Sequence, residues 1–318
     1  MTTGQFHTGR IAVVGSLNMD LVVRTSRLPQ LGETLAGKSL VQISGGKGGN
    51  QAVAASRLGA KVAMLGCVGN DSNGMRLRQE LENDDIDCSA VIIEDTLPTG
   101  VALIMVDDRS QNAIITVAGS NGALTPAAIP RYETVIAQAD VLVCQMEIPA
   151  ETVFTAMQTA RRFGRIVVLN PAPVIAPLPV PWWEQVDFLI PNEVEASVLS
   201  GISVNSVESA SSAAKKLRQL GVRQVIITLG SQGVYVMSAE DAQGRHYPGN
   251  PVQALDTTAA GDTFIGGFCT KLAAKDSVEN AVRFGQAAAA LSVTRIGAQT
   301  SIPYLFEVHN LYPEVTSR

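Results

Sequence analysis

The stretch Asp256-Thr257-Thr258-Ala259-Ala260-Gly261-Asp262, followed by the apolar segment Thr263 to Phe268, is the most informative part of the chain. Its small residues leave backbone N–H groups uncovered where a helix is predicted to begin, so the positive end of the helix dipole can hold an anion such as phosphate. Asp262 lies at this same point, although a bound phosphate would repel its carboxylate. A base that takes a proton from an attacking hydroxyl, however, must be next to the phosphate, so the position of Asp262 indicates catalysis. The alternative is that Thr257, Thr258 and Asp262 only cap the helix.

The composition is that of a globular protein whose partners are small molecules. The 318 residues are 46% hydrophobic and 17% charged, enough for one large α/β domain or two small ones. A net charge of -5 without any Lys/Arg run argues against nucleic-acid binding. The four cysteines form no C-x-x-C pair and the three histidines are scattered, so neither a disulfide framework nor a thiolate or histidine metal cluster is expected.

With no apolar run near membrane-span length, we expect a cytoplasmic protein without a membrane partner, beginning with a disordered tail over residues 1–9.

Apolar β-rich runs recur along the chain, and helical patterns separate most of them. Continuous apolar runs that alternate with helices predict a mostly parallel sheet covered on both faces, in one α/β domain over residues 1–318. The strands are predicted at Ile11–Val14, Val62–Leu65, Val141–Cys144, Ile166–Leu169, Phe188–Ile190 and Val225–Thr228, with helices such as Gln51–Leu58 and Ala210–Leu220.

Polar residues follow these runs, where the strands are predicted to end. They are Asn18, Asp20, Glu147, Asn170, Asn192, Glu195 and the turn Gly230–Gly233. Ligands in parallel α/β folds bind at the carboxyl ends of the strands, so we expect the site there. Residues 19–43 and 100–118 instead alternate in polarity and contain turns, which predicts a small second sheet that forms a β lid over the open end of the main one.

A second glycine cluster, Gly45–Gln51, precedes the first of these helices. It is not a Walker A loop, because Lys47 is followed by Gly48 where Ser or Thr must hold the magnesium ion. It is not a dinucleotide fingerprint either, since Gly15 after the first strand lacks the further glycines of that motif. The cluster therefore offers backbone groups, Lys47 and Asn50 to a polar ligand, with a mobile turn as the alternative.

Asn18 and Asp20 are two residues apart, so in an extended segment they project to the same face. An amide beside a carboxylate suits a vicinal diol, because the carboxylate accepts from two hydroxyls while the amide donates. As a turn pair alone they would carry no function.

Several motifs occur together in a characteristic order. They are Gly15–Asp20, Gly45–Ala52, Asn170–Pro173, Asn192–Ala196, Thr228–Gly233 and Asp256–Asp262. On these motifs the chain resembles the ribokinase-like (pfkB) sugar kinases from about Ile11 to Pro303. The resemblance implies a ribokinase-like three-layer sandwich with a β lid, and ATP-dependent phosphorylation of a pentose at its terminal hydroxyl.

The resemblance also implies roles for individual residues. The sugar contacts match Asn18, Asp20, Gly46, Lys47, Asn50, Glu147 and Asp262, and Asp262 also matches the catalytic base. The ATP and anion-hole positions match Asn192, Thr228, Gly230, Ser231, Gly233, Ala260, Gly261 and Gln286. Glu195 is expected to hold Mg²⁺ through water, and K⁺ is expected near Asp256, Thr258, Ser292, Arg295, Gly297 and Ser301, largely on backbone oxygens.

Three positions depart from the family pattern. Ala259 replaces the usual Gly before Ala-Gly-Asp, and Gly49 replaces the usual Ala. Thr116 stands where an apolar residue is expected in the lid strand that faces the sugar. Gly49 and Thr116 bear on which sugar is accepted, and Lys47 has two candidate roles, as a sugar contact or as a phosphate contact.

We expect phosphorylation of D-ribose at its 5-hydroxyl, because a carboxylate that accepts from both ring hydroxyls loses a partner when one hydroxyl is missing. The alternatives are a kinase for deoxyribose, for a hexose or for a nucleoside. A non-catalytic sugar- or nucleotide-binding regulator would be favoured by loss of Asp262 or of the Asn192 and Glu195 pair, and all three are present.

The predicted lid has too few strands to be stable alone, and its edges invite pairing. We therefore expect a homodimer in which two lids pack together, as the family resemblance also implies.

Overall fold

The structure is a computed structural model that describes residues 8–316 except 110, 175–176, 239 and 242. Residues 1–7 of the predicted tail lie outside the described residues. Gly9, at the end of that predicted tail, is buried, and its carbonyl oxygen accepts a hydrogen bond from the Lys61 N–H at 2.9 Å.

The predicted apolar runs all become strands. The strands are β1 Arg10–Val14, β2 Asn18–Arg24, β3 Ser39–Gly45, β4 Lys61–Gly69, β5 Asp87–Glu94, β6 Gly100–Val106, β7 Asn112–Val117, β8 Val141–Cys144, β9 Ile166–Leu169, β10 Phe188–Leu189, β11 Gln224–Thr228, β12 Val234–Met237 and β13 Arg245–Tyr247. The helices are α1 Lys47–Arg57, α2 Ser72–Asn83, α3 Ala128–Arg131, α4 Glu133–Gln138, α5 Ala150–Arg162, α6 Val180–Trp183, α7 Glu193–Ser200, α8 Val207–Gln219, α9 Ala260–Ala273, α10 Val278–Ser292, α11 Leu305–Leu311 and α12 Pro313–Thr316. Within the described ranges, no helix combines the length and apolar character that crossing a membrane requires.

The main sheet has the strand order β13-β12-β11-β10-β9-β8-β1-β4-β5. All neighbours from β11 to β5 pair in parallel, whereas β12 runs antiparallel to both β11 and the edge strand β13. Successive residues of one strand pack on opposite faces, since Ala12 and Val14 belong to one buried cluster and Ile11 and Val13 to another. The first cluster contains residues of α5 and α8, and the second contains residues of α1 and α9. The predicted three-layer α/β fold with a mostly parallel sheet is confirmed.

The second sheet has the order β3-β2-β6-β7, with β2 and β6 parallel and the two outer pairs antiparallel. It lies in the two segments that break the βα rhythm of the sequence. Asp20 pairs with Ala102 and Ala102 pairs with Thr116, and directly opposed residues project to the same face. Thr116 is therefore on the Asp20 face of this sheet.

Helix α1 begins at Lys47, so the predicted start at Gln51 was wrong. The reason is tertiary packing that overrides the low helix propensity of glycine. A Cβ at Gly48 would lie 2.6 Å from the Ser16 backbone nitrogen, so only glycine allows the first turn of α1 to approach the chain after β1 this closely. Gly46 precedes the helix with a φ of 84°, which glycine adopts without strain. The glycine cluster is thus a helix start and not a mobile turn.

Candidate active site

The N-termini of α1 and α9 meet at the carboxyl ends of β1, β8 and β9, as expected for ligand sites in parallel sheets. Gln51 of α1 donates both to Asp262 of α9 and to Asn170, which directly follows β9. The Lys47 N–H donates to Glu147, which follows β8, at 3.0 Å. Two helix N-termini and several buried polar side chains therefore lie together at the carboxyl ends of these strands.

Asp262 lies in the first turn of α9 and is 7% exposed. Its Oδ2 accepts from Asn50 Nδ2 at 2.9 Å, and its Oδ1 accepts from Gln51 Nε2 at 2.9 Å. Two neutral amide donors thus hold the carboxylate from one side. Each carboxylate oxygen keeps a further lone pair for a ligand.

The chain before α9 has an unusual backbone. Ala259 precedes the helix with a φ of 58°, the left-handed conformation that glycine adopts most easily. This strain explains why glycine is the usual residue here in the resembled family. Asp256 Oδ1 accepts from the Thr258 N–H at 2.9 Å, and Asp256 Oδ2 accepts from the Gly297 N–H at 2.9 Å, so one carboxylate joins two loops.

The predicted anion hole is only partly open. The Ala260 N–H donates to the Thr257 carbonyl oxygen at 3.2 Å, so this amide already has a partner. A Cβ built on Gly261 would meet no atom within 4 Å, so there is open space beside this residue. The first turn of an α-helix leaves its N–H groups without partners inside the helix, and at α9 this turn faces that space.

Asn18 and Asp20 are both buried at the start of β2. Asn18 Oδ1 accepts from Asn121 Nδ2 at 2.8 Å, which leaves the Asn18 NH₂ group as a donor. A Cβ at Gly45 would lie 2.2 Å from Asp20 Oδ2, so the glycine provides the room for this carboxylate. Burial raises the pKa of Asp20 to about 7, and the negative charges of Glu147 and Asp262 add to the effect.

Glu147 is held by residues of two other segments. Its Oε2 accepts from the Ser16 hydroxyl at 2.5 Å and from the Lys47 N–H at 3.0 Å. The Lys47 side chain is surrounded by carboxylates: burial lowers its pKa, but the charges of Asp262, Glu147 and Glu195 outweigh burial, so the pKa is raised. Lys47 is therefore an ammonium between the predicted sugar contacts and the predicted magnesium residue.

The predicted nucleotide residues also come together. Asn192 and Thr228 form a parallel β-bridge, and the turn after Thr228 contains Gly230 and Gly233 at φ values of 53° and 96°. Gln286 Nε2 donates to the Tyr247 carbonyl oxygen at 3.0 Å, and a Cβ at Gly233 would lie 2.1 Å from that oxygen. Gln286 is thus adjacent to the turn that contains Gly230, Ser231 and Gly233.

Glu195 and Asn192 form a capping box at the start of α7. Glu195 Oε2 accepts from the Asn192 N–H at 2.9 Å, and Glu195 Oε1 accepts from Asn192 Nδ2 at 3.0 Å. The pKa of Glu195 is raised, because the effect of burial outweighs the hydrogen bond from the Asn192 N–H and the charge of Lys47, which both lower it. The carboxylate is near enough to Lys47 and Asp262 to interact with their charges.

Among the described residues, no group of three or more His, Cys, Asp or Glu side chains is placed to hold a metal ion. The donor set still fits the expected ions. Mg²⁺ in phosphoryl-transfer sites takes one or two carboxylates and otherwise water and phosphate, and Glu195 is the carboxylate that would supply one. At the predicted K⁺ loops the side chains of Arg295, Ser292 and Ser301 bind Glu307, the Ala289 carbonyl and the Ala298 carbonyl, which leaves backbone oxygens for a cation.

Sequence reasoning missed several residues of this site. Ser16 and Asn121 orient Glu147 and Asn18, and Gln145 donates to Gln51 Oε1 at 2.6 Å. Gln51 lies in the Gly45–Ala52 motif, which by itself does not indicate a contact with Asp262. Gln145 directly follows a buried strand, which is the one signal that could have marked it, whereas Asn121 beside Gly122 looks like an ordinary turn residue.

The three-layer α/β sandwich, the second small sheet and the clamped carboxylate at an open helix N-terminus are the features that the resemblance to sugar kinases implies. Residues 8–305 match the pfkB family carbohydrate kinase description. The chain belongs to this family, and the resemblance inferred from the six motifs is confirmed.

Individual relatives agree with this assignment. The chain is 44% identical over 293 residues to a ribokinase of Haemophilus influenzae, which covers 92% of this chain and 95% of the relative. It is 37% identical over 293 residues to a deoxyribokinase of Salmonella typhi, with the same two shares. The solved structure of Arabidopsis thaliana ribokinase complexed with ribose and ATP matches with a TM-score of 0.90 and 32% identity, over 96% of this chain and 98% of that one.

Proposed function

We propose that the chain is an ATP-dependent kinase that phosphorylates D-ribose at its 5-hydroxyl to give ribose 5-phosphate. The observation that carries this proposal is the position of Asp262, which two amides clamp beside the open space at Gly261 and near the buried Asp20. The relatives named ribokinase, and the Arabidopsis structure with ribose and ATP, support the choice of sugar and phosphate donor.

The polar groups of the site match a polyhydroxylated sugar. Asp20 offers acceptors for two hydroxyls. Asn18 offers its NH₂ group as a donor, because its contact with Asn121 uses only the Oδ1 atom. Asn50 Nδ2 is fixed by Asp262, so its buried Oδ1, which has no partner, is an acceptor for another hydroxyl. The hydroxyls of a pentose act both as donors and as acceptors, and a buried acceptor without a donor costs free energy.

In the transfer step Asp262 orients the 5-hydroxyl and receives its proton as the hydroxyl oxygen attacks the γ-phosphorus. The first-turn N–H groups of α9 at Gly261 and Asp262 face the phosphoryl oxygens, with the helix dipole aligned to their charge. Lys47 adds an ammonium close to Asp262, Glu147 and Glu195, and closure of the second sheet as a lid excludes water.

Around ATP, the turn of Thr228, Gly230, Ser231 and Gly233 would hold the nucleotide, with Gln286 beside the adenine. Bound Mg²⁺ would supply positive charge to the phosphates, and Glu195 is the carboxylate that would hold it through water. A monovalent cation, K⁺, would bind backbone oxygens of the loops that Asp256 joins to Gly297. ATP is plentiful in the cytoplasm, so a cytoplasmic location stays part of the proposal.

Glu195→Gln is expected to raise the Mg²⁺ concentration needed for half-maximal activity more than it raises the sugar KM, because the amide loses the charge that attracts the hydrated ion. Magnesium titrations at saturating sugar check this. Glu208→Gln, an exposed first-turn residue of α8, is the matched control. An unchanged magnesium titration in Glu195→Gln would remove Glu195 from the metal site.

The sugar KM is expected to rise as the pH falls below about 7, approaching tenfold per pH unit, because protonation removes an acceptor from Asp20. The pKa of Asp20 is raised to about 7, so its ionised form is present above that pH and is lost as the pH falls through it. Initial rates between about pH 6 and about pH 8 measure the effect. A KM that stays constant over this range, or that keeps its pH dependence in Asp20→Asn, would contradict it.

The test of the proposed function is ATP turnover against a panel of D-ribose, 2-deoxyribose, hexoses and nucleosides, read as kcat/KM. Ribose is expected to be the best substrate. A hexose or nucleoside preferred by about tenfold or more would leave only the carbohydrate-kinase class. The same panel decides the alternative of a non-catalytic regulator, which would bind ligands without turnover.

The chain is expected to form a homodimer through the outer face of the second sheet. Leu40, Leu103, Ile115 and Val117 are exposed on the face opposite Asp20, an apolar patch that a second lid would cover. Sedimentation velocity at micromolar concentration should give a dimer, and Leu103→Lys combined with Ile115→Lys should give a monomer, whereas Ile93→Lys on β5 should not. A monomeric wild-type chain would overturn the expectation.

A further inference from the structure

The site contains a chain of buried amides that the mechanism above does not use. Gln145, Gln51 and Asn170 are 0%, 1% and 6% exposed. Gln145 directly follows β8, Gln51 lies on α1, and Asn170 directly follows β9. Gln145 Nε2 donates to Gln51 Oε1 at 2.6 Å, and Gln51 Nε2 donates to Asn170 Oδ1 at 3.2 Å and to Asp262 Oδ1 at 2.9 Å.

The direction of this chain is fixed by its ends. Asn170 Nδ2 donates to the Ile190 carbonyl at 2.9 Å, and a carbonyl can only accept, so Asn170 Oδ1 must face Gln51. Asp262 as a carboxylate also can only accept. Both neighbours of Gln51 Nε2 are therefore acceptors, and a flipped Gln51 amide would place its oxygen against two others. The Gln51 N–H that reaches Asp262 has no alternative orientation.

The amide of Gln145 carries a cost that packing does not explain. Its Oε1 is buried without a hydrogen-bond partner, at a point where a Cβ on Gly15 would lie 1.9 Å away. An unpaired buried oxygen is destabilising, and Met would fill a similar volume without one. The useful part of Gln145 is its N–H group, which holds the oxygen of Gln51 and so turns the Gln51 N–H groups toward Asp262.

Asn50 and Gln51 are successive residues of α1 that reach the two oxygens of the same carboxylate. They can do so because α1 and α9 pack closely, since a Cβ at Gly266 would lie 2.4 Å from the Ala54 Cβ. Asn50 has a free oxygen for the sugar, whereas every N–H of Gln51 is used within the protein. Gln51 therefore acts on the reaction only through Asp262.

We propose that Gln51, held by Gln145 and Asn170, is a positioning residue that fixes the plane of the Asp262 carboxylate for proton acceptance. This inference rests on the proposed function of Asp262 as the base. Gln51→Met keeps the volume and removes the donor, so Asp262 keeps only the donor on its other oxygen and can rotate away from the sugar hydroxyl.

Gln51→Met is expected to lower kcat by about 10- to 100-fold, the loss that follows from one hydrogen bond to a charged group. The KM values for sugar and ATP should stay within about twofold of those of the wild type, since Gln51 has no group left for a ligand. Gln145→Met should lower kcat in the same way but less. Thr152→Val, which removes a buried hydroxyl on α5 that donates to the Leu124 carbonyl, is the control for general destabilisation.

A double-mutant cycle separates positioning from a merely structural role. In the Asp262→Asn background, adding Gln51→Met should lower the single-turnover rate at enzyme excess by less than about threefold, because the group it orients is already gone. Rate losses that multiply in the double variant would overturn the proposal, and so would a kcat of Gln51→Met equal to that of the wild type.

A measurement without substrate keeps this inference distinct from the proposed function. In protein labelled with ¹⁵N-glutamine, the side-chain amide resonance of Gln51, assigned by its loss in Gln51→Met, should shift when Asp262 becomes Asn. A resonance that does not move would overturn the clamp whatever the enzyme phosphorylates. A shifted resonance in a protein that phosphorylates no sugar would uphold the clamp and overturn only the proposed function.

Discussion

Asp262→Asn is expected to lower kcat by at least about 100-fold while ATP still binds, because the amide cannot take the proton of the attacking hydroxyl. The effect should fall on kcat, since Asp262 receives the proton only as the transfer proceeds. Asparagine has nearly the same size, so the packing of α1 against α9 is preserved. Steady-state rates at saturating sugar and ATP, with ATP binding measured by calorimetry, check both parts.

The matched control for this variant is Asp187→Asn. Asp187 is 8% exposed, much like Asp262, but it precedes β10 and so lies at the amino ends of the parallel strands, where it pairs with Arg161. Its replacement should lower stability and leave kcat near that of the wild type. Near-normal turnover in Asp262→Asn would remove Asp262 from the mechanism.

Discrimination between ribose and 2-deoxyribose is the second large effect that we expect. A sugar without the 2-hydroxyl leaves part of the buried Asp20 carboxylate unpaired, so kcat/KM for 2-deoxyribose should be lower by about 10⁴-fold or more. Competition between the two sugars, read as kcat/KM above the pKa of Asp20, measures this ratio. Activities within about tenfold of each other would contradict it and favour the deoxyribose alternative.

Two variants show where the discrimination comes from. Asp20→Asn should bring the two sugars closer together, because the amide accepts fewer hydrogen bonds than the carboxylate. Thr116→Val tests the lid wall, since Thr116 lies on the Asp20 face of the second sheet. If the ratio changes in Thr116→Val and not in Asp20→Asn, the sugar hydroxyls are recognised by the lid and not by Asp20.

The main strands could be predicted because strands covered on both faces need continuous apolar runs, such as Val141–Cys144, and few other elements do. Strands β5, β12 and β13 of the main sheet were not predicted, and for β13 the reason is that its three residues Arg-His-Tyr are mostly polar. The start of α1 at Lys47 was missed for another reason: glycine propensity indicates a loop, and only contact with Ser16 shows that these glycines are helical.

The positions of the site residues were easier to predict than their contacts. Asp262 stands out because it is a carboxylate among small residues at a helix start, where a bound phosphate would repel it. Its partner Gln51 is 211 residues away in the chain, and a glutamine in a helix carries no sign of what it will bind. Hydrogen bonds of such long range, including that from Asn121 to Asn18, depend on the folded arrangement and not on local pattern.

The division of the site along the chain bears on how such enzymes diverge. The side chains expected to bind sugar lie before residue 148, on β2, on α1 and after β8, whereas those expected to bind nucleotide and cations lie from Asn192 onward. On these expected roles, and apart from Asp262 and Lys47, a mutation that alters the choice of sugar falls on different elements from one that alters phosphate chemistry. Substitutions that change the accepted sugar can therefore accumulate in the first half of the gene while the second half, which is expected to bind ATP, stays unchanged.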